Sequence, residues 1–171
     1  MNKMLSALMV ALLLTATPAL ANPPERRPEP KVEFPQIKDW SSLHISMSRT
    51  ACYGTCPIYT VDIGGDGTVR FNGVRFTAVA GEQTAKIPPE AARALFEKFR
   101  QAQFFWLFDR YTAEVTDMPS CELTLSFDGT EKRVLDYAGE MVGMPAVVRD
   151  LEHAVDEAAQ TERWVRGQKA N

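Results

Sequence analysis

The sequence predicts an α+β fold, a two-layer sandwich in which a mainly antiparallel sheet of about six strands carries two helices on one face. Three observations predict it. Several short segments alternate apolar and polar side chains with the period of a half-buried strand. Two longer segments carry apolar stripes at helical spacing. The links between segments are short, which favours antiparallel neighbours, and two helices suffice to cover one face of such a sheet.

Taken in order, Leu43, Ile45 and Met47 alternate with His44, Ser46 and Ser48 and form the first strand. Tyr59, Val61 and Ile63 alternate against Thr60 and Asp62 in the second, and Gly65-Asp66-Gly67 tolerates the positive φ of a tight hairpin. Val69 and Phe71, then Val74, Phe76 and Ala78, continue the meander. Pro88-Pro89-Glu90 opens a helix, with proline suited to the first turn and an acid to the positive end of the dipole. Its stripe is Ala92, Leu95, Phe96, Phe99 and Ala102. Cys121, Leu123, Leu125 and Phe127 mark another strand, and Asp128-Gly129 turns it into a partner covering Arg133 to Tyr137. Pro145 opens the last helix, with Val148, Leu151, Val155 and Ala158 expected inward and Arg149, Glu152, His153 and Asp156 outward. The uncovered sheet face is expected to be polar and open, carrying His44, Ser46, Thr60, Asp62, Arg70, Thr77, Glu122, Thr124 and Ser126.

Residues 1–21 read as a secretory signal: Lys3 is the charged region, Met4 to Leu14 the apolar run, and Ala19-Leu20-Ala21 the cleavage site. That run is too short to span a bilayer, so no stable membrane insertion is expected after cleavage and the destination is periplasmic or secreted. Residues 22–40, rich in proline and charge up to Val32 and Phe34, read as a disordered linker. A single domain is expected over 41–166, with a tail over 167–171. The formal net charge of −3, one unit more negative without Lys3, and the lack of a basic patch argue against nucleic acid.

Cys52-Tyr53-Gly54-Thr55-Cys56-Pro57 sets two close thiols in a chain bound for an oxidising compartment. A disulfide requires Cα atoms roughly 4.4–6.8 Å apart, whereas an extended strand would hold positions i and i+4 about 13 Å apart. A bridge between the two therefore demands a turn. Gly54 permits it, and Pro57 returns the chain to extended geometry. A redox-active pair is the alternative, although the thioredoxin spacing is C-x-x-C on a βαβ unit. A copper site is another: C-x-x-x-C-P resembles the copper motif of the thioredoxin-fold chaperones of cytochrome oxidase assembly, over these positions only and without a nearby histidine. Cys121 falls on the apolar side of its strand and reads as a buried thiol, with pairing to Cys52, Cys56 or another chain as the alternative.

The string from Ser48 to Tyr59 (S-R-T-A-C-Y-G-T-C-P-I-Y), with Asp66-Gly67, Asp109-Arg110-Tyr111, Thr116-Asp117 and Trp164-Val165, resembles the bacterial domain-of-unknown-function family numbered 6438. The resemblance runs from about Leu43 to Val165. It implies no activity, substrate or cofactor. Cys121 stands outside the family pattern, which implies that the bridge joins Cys52 to Cys56.

The stretch from Phe104 to Pro119, which holds Trp106 and Glu114, is long for a connection inside a compact domain, and such loops are often functional. The plainer reading has Phe105, Leu107 and Tyr111 capping the core while Asp109 and Asp117 accept turn hydrogen bonds. No catalytic set emerges. His44 and His153 both read as surface residues, and Asp62 to Gly67 lacks the ligands of a calcium loop. The expectation is a binding module with no cofactor and no metal, its partner an envelope protein or a small ligand. Its candidate surface is Arg49, Tyr53, Gly54, Asp109, Arg110, Tyr111 and Asp117. A thiol redox or copper-handling role for Cys52 and Cys56 is the alternative.

Overall fold

A computed structural model describes residues 33–167. The expected signal segment lies outside the described residues, as do the first part of the linker and the end of the tail. Seven strands and three α-helices follow one another: β1 (His44–Arg49), β2 (Ile58–Gly64), β3 (Thr68–Arg75), β4 (Gly81–Lys86), α1 (Pro89–Gln101), β5 (Arg110–Thr112), β6 (Ser120–Phe127), β7 (Thr130–Tyr137), α2 (Ala146–Ala159) and α3 (Glu162–Val165). The strands form one seven-stranded sheet in the order β4-β3-β2-β1-β6-β7-β5. Every neighbouring pair is antiparallel except β5 and β7, so the expected α+β class, mostly antiparallel sheet with helices packed on it, is the architecture observed.

Period-two alternation positions the core. Leu43, Ile45, Met47, Val61, Ile63, Val69, Phe71, Leu123, Leu125 and Val134 are nearly or wholly buried on the helix side. From above, α1 contributes Leu95, Phe96 and Phe99, and α2 contributes Val148, Leu151 and Val155. Both helices begin immediately after a proline, Pro88 and Pro145. On the other face His44 bonds Asp62 at 3.1 Å and Arg70 reaches the same carboxylate at 3.6 Å. Ser46, Thr60, Glu122 and Thr124 line a shallow polar depression of about 420 Å³ there.

Four expectations change. The sheet gains β5, a three-residue strand inside the stretch read as a loop, held by parallel pairing to β7; three residues are too few to show a period. β4 was also missed. Its Gly-Glu-Gln-Thr-Ala-Lys composition has no apolar alternation because an edge strand over a small part of the core needs none, and the chain turns at 76–80 where a strand through Ala78 was expected. Thr77 accordingly lies off the sheet face, its hydroxyl donating to the Val79 carbonyl at 2.9 Å.

The ordered domain also starts before residue 41. Phe34 is buried, edge-on to Phe96 at 5.8 Å and to Phe105 at 5.0 Å, and stacked near Phe127. Asp128, in the β6–β7 turn, accepts hydrogen bonds from the backbone N–H groups of Lys38 and Asp39. Those bonds, Lys38 first, hold the Asp128 carboxyl below its ordinary range. A linker composition therefore ends in a segment that closes one end of the core. Phe34→Ala should destabilise the domain by about 3 kcal/mol in urea unfolding; a change within experimental error would mean the aromatic cluster closes without it.

Candidate functional site

The end of the sheet where β1 finishes and β6 begins gathers Arg49, the cysteine turn and Asp117. Register makes this end common to several strands: Arg49 faces both Tyr59 and Cys121, Ser120 faces Tyr137, and Ile58 faces Arg75. Beyond Arg49 the chain still follows β6, since Thr50 N–H donates to Ser120 O at 3.0 Å, and Tyr53 N–H donates to Asp117 O at 2.9 Å. Between these contacts the chain folds into the disulfide turn. Cys52 and Cys56 are bonded, with Cα atoms 5.7 Å apart. Gly54 has φ +149°, which L side chains rarely adopt. Cys121 is free and buried.

The candidate residues separate into three groups. Tyr53, Gly54 and Asp117 come together: the Tyr53 side chain is 89% exposed, and Asp117 sits in a left-handed turn at φ 66° that offers its carbonyl to Tyr53. Asp109 and Arg110 stand apart on the β5 edge. Three strand spacings, roughly 14 Å, separate β5 from β1, and Asp109 pairs with Lys132 while its carbonyl accepts from Leu135 N–H. Tyr111 leaves the surface, and Arg49 is half-buried at the wall of a cleft. Tyr111 is buried at the β5 edge, its hydroxyl accepting from Phe108 N–H.

Arg49 continues the inward parity of Leu43, Ile45 and Met47 and meets α2. Its Nε donates to Tyr59 Oη at 3.0 Å, Nη2 reaches Asp156 Oδ2 at 3.1 Å, and Nη1 lies 3.5 Å from Glu152 Oε2. Asp156 Oδ1 also accepts from Tyr59 Oη at 2.7 Å and from Thr161 Oγ1 at 2.6 Å. One guanidinium and one carboxylate thus join β1, β2, α2 and the segment entering α3. Burial pulls the Arg49 pKa down, but the attraction of Cys121, Tyr59, Asp156 and Glu152 outweighs it and leaves the group firmly charged. Burial followed by the Asp156 carboxylate raises the Tyr59 phenol.

Glu152 was expected outward and is buried. Its spacing carried the signal, since it lies four residues after Val148 and three before Val155 on the inward stripe; its polarity obscured it. Oε1 has no hydrogen-bond partner, and burial raises the carboxyl to about 7 against the pull of Arg49, with Asp136 adding to the rise. The adjoining Cys121 thiol is raised too, by burial and then by Glu152, so it is a packed thiol and not a thiolate nucleophile. Asp136, also buried, accepts from Gly139 N–H at 2.7 Å. A Cβ at Gly139 would sit 2.8 Å from Asp136 Oδ1, Met144 Sδ and Tyr111 Cβ, which excludes any larger residue there.

Beside the network an open cleft of about 1170 Å³ runs between Pro57 of the cysteine turn and the α2–α3 corner, lined also by Tyr59, His153, Gln160 and Arg163. The rim of this end is apolar. Eight large apolar side chains are exposed among the described residues, and six are spread along this end of the sheet: Val74 and Phe76 where β3 ends, Tyr53 in the cysteine turn, Met118 ahead of β6, and Met141 and Val142 after β7, beside β5. No group of three or more His, Cys, Asp or Glu among the described residues has metal-site geometry, and no described helix is long and apolar enough to cross a membrane.

Residues 43–159 match the domain of unknown function DUF6438. The chain belongs to the DUF6438 family. The match takes in the cysteine turn, Arg49, Tyr59, Glu152 and Asp156, so both the disulfide and the buried network lie within the DUF6438 domain, while Phe34 and Trp164 lie outside the matched residues. No curated protein matches the chain.

Two outcomes follow from this geometry. Because the folded-state pKa of Glu152 lies above its unfolded value of 4.5, the folded state holds the extra proton, and stability falls as pH rises from about 4.5 to about 7. Glu152→Gln should remove a loss on the order of 3 kcal/mol across that window, read as a pH-dependent difference between the urea unfolding of variant and parent; a pH-independent difference would refute the assignment. Cys52→Ala with Cys56→Ala, which opens a short ring, should cost about 2 kcal/mol and leave the circular dichroism spectrum unchanged.

Proposed function

We propose that this DUF6438 protein is an exported, periplasmic or secreted binding module, without catalysis of its own, that meets an envelope protein or a small ligand at the disulfide-braced end of its sheet. The observation that carries the reading is the pair of exposed apolar side chains, Tyr53 and Met118, set beside the Tyr53 N–H to Asp117 O bond, with Met141 exposed further along the same end. An aromatic side chain such as Tyr53 on a braced backbone loses little conformational freedom on contact, and aromatic residues dominate the energetics of interfaces. The charged groups behind this rim support a scaffold role: Arg49, Tyr59, Asp156 and Thr161 satisfy one another, so their hydrogen bonds are spent on holding α2 to the sheet. Export is supported by Lys3, the Met4 to Leu14 run and Ala19-Leu20-Ala21, and by the oxidised state of Cys52 and Cys56.

The test places a photo-crosslinking amino acid at position 53 or 141 in cells, with controls at Thr60 on the open sheet face and Arg93 on α1. Discrete adducts from 53 and 141, absent from both controls and reduced by Met118→Asp, are the expected result. Equal adducts from position 93 would remove the assignment of this end as the contact surface. Amino-terminal sequencing of the exported protein should begin at Asn22, and a protein retained whole in the cytoplasm would remove the export reading.

A further inference from the structure

The sheet has one long open edge, and its backbone register says what can pair with it. Among the described residues β4 joins only β3, with Thr68 facing Lys86, Arg70 facing Thr84, and Asn72 facing Glu82. One step further along this ladder Ile87 N–H donates to Gly67 O at 2.9 Å. In an antiparallel ladder, facing pairs that exchange hydrogen bonds alternate with pairs that do not. The bonded pairs toward β3 are therefore those of Ala85 and Gln83. Glu82, Thr84 and Lys86 turn their N–H and C=O groups away from β3, toward solvent, and all three residues are exposed.

We propose that β4 is a self-association edge: a second copy of the chain pairs with it antiparallel about Thr84, continuing the sheet from one protomer into the next. A two-fold axis at Thr84 sets Thr84 against Thr84 and Glu82 against Lys86 of the second copy, twice. Those are the residues whose backbone groups point outward, so the register supplies three pairs that each exchange two hydrogen bonds. It also sets opposite charges face to face on both sides of a Thr–Thr pair, combinations that favour cross-strand pairing. Lys86 Nζ bonds Asp66 and Thr68 at 2.8 and 2.6 Å, which leaves one of its three donors for the incoming carboxylate. Charges on an edge ordinarily guard against such pairing. A guard against self-pairing would set like charges opposite each other in this register, and this edge sets unlike ones.

The register makes a specific test. A strand-edge contact is a small interface, so the purified protein should form a dimer with a Kd on the order of 10–100 µM by sedimentation equilibrium. Glu82→Lys sets lysine against lysine and Lys86→Glu sets glutamate against glutamate, and each variant alone should weaken association at least about tenfold. An equimolar mixture of the two restores both opposite pairs and should dimerise like the parent. Thr84→Pro deletes an outward N–H, leaves the hydrogen bonds to β3 intact, and should abolish association while the protein stays folded. A parent that is monomeric up to about 1 mM, a dimer that survives Thr84→Pro, or single variants whose mixture stays monomeric would each overturn the proposal.

Discussion

The guanidinium of Arg49 is the point on which the architecture turns. A sheet with helices on one side can let those helices slide, because apolar contacts are not directional. Here a charge on the core side of β1 meets Asp156 and Glu152 of α2 and the hydroxyl of Tyr59 on β2. Asp156 in turn holds Thr161 at the corner into α3, and Trp164 of α3 stacks on Phe71 of β3. One arginine therefore fixes α2 over β1 and β2 and, through Asp156, the path of the chain after it. A half-paired charge in such a place is costly, and the geometry is correspondingly demanding: the guanidinium reaches three partners from a single side chain.

The network also explains why an unfavourable group is retained. Glu152 has a carboxylate oxygen with no partner and a proton held near neutral pH, yet it lies on the helical stripe that must face the sheet. It interacts with both the Cys121 thiol and Arg49 and so ties α2 to β6 and β1. The network sits directly behind the disulfide turn, which follows Arg49 in the chain by three residues. The bridge adds modestly to stability; its larger effect is to hold Tyr53 outward against a backbone already bonded to Asp117. A rigid interior and an apolar rim are thus consecutive parts of one stretch of chain.

The open side of the sheet obeys a different economy. With none of the described helices over it, it carries His44, Asp62 and Arg70 in exposed pairs, which contribute little to stability at a surface. Its free edge, β4, is as polar as the face, which is why its sequence does not look like a strand and why its pairing is set by backbone register and charge order.

By itself the sequence determined the class of the fold, the two proline-initiated helices, the inward faces of β1, β2 and β6, and the close pair of cysteines, because each of these rests on local spacing or on an apolar period. It also contained the inward parity of Arg49 and the stripe position of Glu152, both masked by the rule that charge faces water. Only the tertiary structure decided that Phe34 belongs to the core, that Arg110 to Thr112 pairs in parallel with β7, and that Tyr53 meets Asp117 while Asp109 and Arg110 stand three strands away. Those outcomes join residues far apart in the chain, and no period within one segment records which distant segment will lie beside it.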